Sequence, residues 1–302
     1  MVDTNLQGNS SFTERMAEHD FGSYDFRNNS MNIQEAYKLG KSLSEIYEDG
    51  KKVLVAKDHR KYSENLKNGV IDGLIENEME VEYLGLAPTD LVAHQVATQD
   101  VVGGVAVTAS HMPPDYRGIK PLNESGRIFD EKELDEVLEV YENTSSPINR
   151  QYREHTTGFK DEIRYDILEN YISEAKKRYN RLFDEDLSGL EIAVDPGNGV
   201  GGITLPTLLS ELGTEEDDIY VINSELDPQF SGRGPDPTKS ELKDLKKTVR
   251  KQEADLGVAL DGDADRAVFV NDNGKKVSGD ESLAILGKKY LERNYSDDQA
   301  IA

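Results

Sequence analysis

Two hydrophobic rhythms take turns along this chain. Ile33, Ala36, Tyr37, Leu43, Ile46 and Tyr47 recur at helical spacing, which predicts an amphipathic helix over 32–49. The short apolar run Val53–Ala56 then predicts a buried strand. The succession continues with a helix over 63–78, a strand at Val81–Gly85, a helix at Thr89–Gln99, and a strand in which Val105 and Val107 alternate with small residues. Asp130–Tyr141 reads as a charged helix, and the Thr-Ser-Ser-Pro run within Asn143–Asn149 as a loop ahead of an interdomain linker near 150–160. Beyond it lies a long helix, Lys160–Arg181, whose Ile163, Ile167, Tyr171, Ile172 and Ala175 mark one face. Strands follow at Leu190–Val194, Ile219–Ile222, Leu256–Leu260 and Ala267–Val270, with helices at Ser240–Gln252 and Glu281–Tyr295. Strands alternating with helices predict tandem α/β domains with mixed sheets sandwiched by helices. Residues 1–20, rich in Asn, Ser, Glu and Asp, show little periodicity and predict a disordered, solvated leader.

Composition narrows this picture. A length of 302 residues suits about two domains with separate cores. The chain carries 59 acidic against 35 basic residues, a net charge of −24 spread along its length. Nucleic-acid binding needs a basic face, so this balance argues against it. With 36% hydrophobic residues and amphipathic helices the chain is also unlike a disordered one, and its acidity suggests a salt-adapted cytoplasm. Cysteine is absent, which excludes disulfides, a thiolate nucleophile and a zinc–thiolate site. No segment approaches the roughly 20 apolar residues of a membrane span, and residues 1–20 hold no apolar signal core, so a cytoplasmic chain with no membrane partner is expected. The closing run Asp297–Ala302 reads as a turn and the start of another strand, so the sequence is expected to be a fragment.

Two stretches carry chemistry. In Gly103–Lys120 an apolar strand breaks at Ser110, followed by His111 and the Pro113-Pro114 pair, which forces an extended turn. A serine hydroxyl is a poor nucleophile unless a base, a metal or a positive field assists it, and His111, Arg117 and Lys120 stand within ten residues. A plain strand-to-loop turn is the alternative for a Ser-His pair. The second stretch is Asp261-Gly262-Asp263-Ala264-Asp265-Arg266, between two apolar strands. Carboxylates at alternate positions of an extended segment point to one side, and three oxygens so placed suit a hard cation such as Mg²⁺. A calcium loop of the EF-hand type is disfavoured, because Arg266 stands where that loop needs glycine and Asp272 where it needs glutamate. A solvated acidic turn remains open. Between them, Asp195–Gly202 is a glycine-rich strand-to-helix junction that matches neither nucleotide-binding fingerprint and reads as structural. Asp58-His59-Arg60 follows its strand at the end where α/β sheets place functional loops.

Thr108-Ala109-Ser110-His111-Met112-Pro113, ending at Gly118-Ile119-Lys120, resembles the phosphoserine loop of the α-D-phosphohexomutase family (phosphomannomutase/phosphoglucomutase type). Met112 and Arg117 replace two asparagines of that pattern. Phe21–Arg27 resembles the family's opening segment, with Asn28 in place of a glycine, Asp58-His59-Arg60 matches its Asp-x-Arg, and Asp261–Arg266 matches its metal-binding motif. Resemblance covers 21–302 and implies a first domain over 21–155, a second over 156–275, and the truncated start of a third at 276–302. It implies a phosphohexomutase, an intramolecular phosphotransferase that interconverts hexose 1-phosphate and 6-phosphate through a phosphoserine at Ser110 and a hexose bisphosphate that serves as intermediate and activator. One Mg²⁺ would sit on Asp261, Asp263, Asp265 and a phosphoryl oxygen of Ser110. Lys120 would be the general acid/base, Arg266 a phosphate partner, and Tyr24, Arg27 and His111 would line the hexose phosphate. The alternatives are a phosphoglucosamine mutase and a non-catalytic fragment that binds Mg²⁺ or phosphate.

Overall fold

In the computed structural model, which describes residues 12–19, 21, 25–47, 51–145 and 163–294, the predicted short strands assemble into two separate sheets. The chain divides into two compact units between Tyr171 and Ile172. In the first, β1 (Phe26–Asn28), β2 (Lys52–Lys57), β3 (Glu80–Leu86), β4 (Gly103–Val107) and β5 (Arg117–Asn123) lie in the order β1-β5-β4-β2-β3. β2 is parallel to both β3 and β4, while β5 runs antiparallel to β4 and to β1. Alternate residues of these strands face opposite ways. Val53, Val55, Val105, Val107 and Ile119 join one core with α2 (Ile33–Ile46), α3 (Ser63–Glu76) and α5 (Glu131–Asn143). On the other face, α4 (Thr89–Thr98) brings Val92 and Val96 against Gly104. Helices thus cover both faces, as a sheet with apolar sides requires.

Local signals explain where the helices start and how closely they approach. Asn32 and Glu35 form a capping box at the head of α2, and Asp130 and Glu133 do the same for α5. α2 and α3 pack backbone against backbone: a Cβ on Gly40 would lie 2.2 Å from the Val70 carbonyl oxygen, so only glycine fits.

Three features depart from the pattern reading. Phe12–Glu18 form a helix, α1, where a solvated leader was expected: Phe12 and Met16 are buried, and Arg15 pairs with Asp135 and Glu142 of α5. The partner that orders α1 lies more than a hundred residues away, which local periodicity cannot reveal. β5, with glycine, lysine and proline at 118, 120 and 121, shows no strand pattern, yet it is held between β1 and β4; Pro121 faces Val105 in register and accepts from the Phe129 amide. α6 starts at Tyr165, not Lys160; residues 160–162 lie outside the described ones, and Ile163 forms an antiparallel bridge with Gly85 instead of a helical turn.

The second unit repeats the scheme. β6 (Ile192–Asp195), β7 (Ile219–Val221), β8 (Leu256–Leu260) and β9 (Ala267–Asn271) lie in the order β7-β6-β8-β9, with β6 parallel to β7 and β8 and β9 antiparallel to β8. Ala193, Ala259 and Val270 pack on Leu245 and Val249 of α8 (Lys243–Gln252). Ile192, Val194, Val258 and Leu260 pack on Leu209 of α7 (Leu205–Glu211). α8 begins three residues later than the pattern predicts, because Leu242 sits in the left-handed region at φ 51°. The last helix, α9, spans Gly279–Asn294. Among the described residues, no helix is long and apolar enough to cross a membrane.

Candidate functional site

Ser110 stands just past the carboxyl end of β4, fully buried and in the left-handed region at φ 52°. Its amide donates to Thr108 Oγ1 at 2.9 Å, and the amide of Thr108 donates to Gly118 O at 3.0 Å, which ties the loop's entry to its exit on β5. Lys120, 4% exposed, follows on the same strand opposite Ala106. Arg27 on β1 reaches the loop from the other side: its Nη1 donates to Ala109 O at 3.2 Å and its Nε to Asp25. His111 is half-buried next to the serine. Tyr24 lies outside the described residues.

The loop's interior is organised by a residue that sequence reasoning placed on its own strand end without assigning it a task. Arg60 is 3% exposed, and all five of its guanidinium N–H groups are used. Nε donates to Asp58 Oδ2 at 3.1 Å; Nη2 donates to Ser110 O at 2.6 Å and Met112 O at 2.8 Å; Nη1 donates to Pro113 O at 2.7 Å and Tyr116 O at 3.5 Å. Asp58 in turn accepts from the Arg60 amide and the Ser63 hydroxyl, so the buried charges are paired and hydrogen-bonded.

The acidic run is a tight turn between β8 and β9, not an extended segment. Asp261 N donates to Arg266 O and Arg266 N to Asp261 Oδ1, each at 3.1 Å, and Ala264 takes φ 63° to close the turn. The turn curls the carboxylates together, so that one oxygen from each of Asp261, Asp263 and Asp265 lies within 4.8 Å of the others. Asp261 and Asp263 are buried and Asp265 is exposed, which leaves an oxygen-only donor set open on one side. That donor set fits a hard divalent cation with water or phosphate oxygens in its remaining positions. Arg266 Nε lies 3.3 Å from both Asp261 and Asp265. Burial works against its charge, and the surrounding aspartates outweigh burial and raise its pKa.

The glycine-rich run supports this turn from below. Gly199 touches Gly262: a Cβ there would come within 2.8 Å of the Gly262 carbonyl oxygen. At its head Asp195, 1% exposed, accepts from the amide of Gly197, from Asn223 Nδ2 and from Arg233 Nε. Arg233 Nη2 then donates to the carbonyls of Asp195 and of Leu260, the last residue before the acidic turn.

The family model for phosphoglucomutase/phosphomannomutase α/β/α domain I matches residues 18–147, and that for domain II matches 169–274. The chain belongs to the phosphoglucomutase/phosphomannomutase family. A probable phosphoglucosamine mutase of Methanopyrus kandleri is 35% identical over 260 residues, covering 85% of this chain and 54% of the relative. A phosphoglucomutase/phosphomannomutase of Thermococcus kodakarensis is 33% identical, covering 91% and 59%. The chain thus spans little more than half the length of these relatives. A crystal structure of a Burkholderia thailandensis protein of the family shares the fold at TM-score 0.72 and 24% identity, covering 90% of this chain and 58% of that one.

Two departures from the phosphoglucomutase/phosphomannomutase pattern turn out to be neighbours. Asn28 and Arg117 are cross-strand partners on β1 and β5. Asn28 Oδ1 accepts from the amides of Ser30 and Met31, while Arg117 Nη1 donates to Met31 O at 2.6 Å and its guanidinium lies 3.7 Å from the centre of the Tyr62 ring. Both therefore secure the turn that leads into α2. Arg233 is the residue that sequence reasoning missed outright; it lies 38 positions from Asp195 in a Gly/Pro loop, with no local signal of its partner.

Proposed function

We propose that this chain contributes the phosphoryl-carrying and metal-binding parts of a phosphohexomutase of the phosphomannomutase/phosphoglucomutase type. The observation that supports this reading most is the turn that gathers Asp261, Asp263 and Asp265 to within 4.8 Å, in a chain that also buries Ser110 at the hinge of a left-handed loop. Ser110 is the carrier. From its phosphorylated form, an acceptor hydroxyl of a hexose monophosphate forms the new bond to phosphorus while the bond to Ser110 Oγ breaks, and Lys120 takes the acceptor's proton. The bisphosphate then presents its other phosphate, and the same exchange in reverse restores the phosphoserine. Arg27 and His111, together with Tyr24, face the hexose phosphate, and Arg266 meets its phosphoryl oxygens. Asp261, Asp263 and Asp265 hold Mg²⁺, which when bound supplies positive charge to phosphoryl oxygens.

Phosphomannomutase/phosphoglucomutase activity is the main reading, and the names of several relatives favour phosphoglucosamine as a second substrate class. The strongly acidic composition suits a salt-rich cytoplasm. Residues 21–155 and 156–275 are read as the first two family domains and 276–302 as the opening of a third. In α9, Leu283, Ile285, Leu286 and Tyr290 are 60–72% exposed, an apolar face of the kind that marks an interaction surface. The test is intact-mass measurement after incubation with a hexose 1,6-bisphosphate and Mg²⁺. The wild-type chain is expected to gain one phosphoryl group and the Ser110→Ala variant none; equal gain by both rejects Ser110 as the carrier.

A further inference from the structure

Each unit contains an arginine that the proposed chemistry does not use, its side chain 2% exposed in Arg60 and 6% in Arg233. In the first, Arg60 bridges Asp58, at the end of β2, to carbonyls of the loop that follows the neighbouring strand β4. In the second, Arg233 bridges Asp195, at the end of β6, to the carbonyl of Leu260, which opens the turn after the neighbouring strand β8. β2 and β6 hold the same place in their sheets, as do β4 and β8. The arginines reach that place by unrelated routes, one two residues beyond its aspartate and the other 38.

We infer that Arg60 and Arg233 are positioning residues, each fixing the backbone of one reactive loop from within its own unit. The inference that this matters for phosphoryl transfer rests on the function proposed above. Backbone carbonyls at 110, 112, 113 and 116 cannot pair with one another, and the Pro113-Pro114 pair removes the donors that a regular turn would supply. A planar guanidinium with a forked set of donors meets all four at once. The three donors of a lysine ammonium radiate from one point on a different stem and cannot. Asp58 holds the guanidinium in plane, so the left-handed geometry of Ser110 is set by a side chain fifty residues upstream.

The test compares Arg60→Lys, Asp58→Asn and Arg233→Lys with the wild-type chain by amide hydrogen exchange, phosphoryl uptake and Mg²⁺ titration. In Arg60→Lys the amides of Met112 and Tyr116, bonded within the loop to Ala109 O and Pro113 O, are expected to exchange about tenfold faster, while those of β2 and β4 keep their rates. Phosphoryl uptake at Ser110 should slow by roughly 10–100-fold. Asp58→Asn keeps the carbonyl contacts but weakens their anchor, and should move both readouts the same way by a smaller factor; it decides the matter if the lysine variant fails to fold. Arg233→Lys should weaken Mg²⁺ binding by about tenfold or more and leave the serine loop's exchange unchanged. Wild-type exchange of the serine loop in folded Arg60→Lys overturns the inference, as does unchanged Mg²⁺ affinity in Arg233→Lys. Failure of the wild-type chain to take up phosphate would instead refute the proposed function, and the exchange rates would still judge the clamp.

Discussion

The two units are built on one plan and place different chemical groups on it. Each has three parallel strands, β3-β2-β4 in the first and β7-β6-β8 in the second, followed by one antiparallel strand, β5 or β9. In each, the reactive loop joins the third parallel strand to the antiparallel one and holds a non-glycine residue in the left-handed region, Ser110 at φ 52° and Ala264 at φ 63°. Both loops meet cations, and they differ in what they present. Arg60 lies beneath the carbonyls of the serine loop and Arg27 against Ala109. The acidic turn has Arg233 on the Leu260 carbonyl and Arg266 beside Asp261 and Asp265, and it draws three carboxylates together. The shared plan puts a loop at the same point of each sheet, and the loop residues decide whether that point presents a hydroxyl or three gathered carboxylates.

Removing the buried arginines tests this comparison most severely. Arg60→Ala and Arg233→Ala each strand a buried aspartate and several carbonyls, at a cost of about 3–5 kcal/mol. Loss of exchange protection should be confined to the unit that carries the change; a variant that loosens neither loop would break the parallel. Ala264→Gly tests the left-handed position with a smaller effect. The strain of a Cβ there is about 1–2 kcal/mol and the added chain entropy of glycine offsets roughly half of it. Denaturant unfolding should show the second unit unchanged or more stable by up to about 1 kcal/mol, and a clear loss would mean that the Ala264 methyl packs in a way the turn needs. The smallest effect belongs to α1, a helix before the sheet in the first unit. Burial works against the Glu142 charge, but hydrogen bonds from Arg15 and His19 outweigh it and lower its pKa; Glu133 is lowered likewise by Asn123, the Asp130 amide and Arg127. Carboxylates depressed in the folded state stabilise it above their unfolded pKa of about 4.3 and lose that contribution as pH falls through the lower folded value. Exchange protection in α1 and at the head of α5 should therefore weaken below about pH 4, and pH-independent protection there would remove these ion pairs from the account.

Pattern reading went furthest where a residue's role depends on its near neighbours. The strands at Val53–Ala56 and Leu256–Leu260 are short apolar runs of the length that buried strands have, and the aspartates at 261, 263 and 265 offer oxygen ligands close together in the chain. The turn that gathers them was not legible, because Ala264 gives no warning of a left-handed backbone. β5 was hidden for a similar reason: Gly118, Lys120 and Pro121 carry no strand preference, and their pairing comes from β4 and β1. The Asp58–Arg60 pair stood at a suspected functional end of its strand, yet its target, the carbonyls from Ser110 to Tyr116, is a property of the folded loop. Arg233 left no trace, since its partners lie 38 and 27 residues away.

The proposed function divides the labour, with the phosphoryl group on the first unit and the metal on the second. Phosphopeptide mapping after incubation with a hexose 1,6-bisphosphate tests it most directly, run with Mg²⁺ and with a chelator, and repeated on Asp263→Asn. Phosphate is expected on the peptide containing Ser110, abundant with Mg²⁺, and strongly reduced both by the chelator and by the variant. Phosphate on any other residue, or equal labelling of Ser110 without a divalent ion, would contradict it.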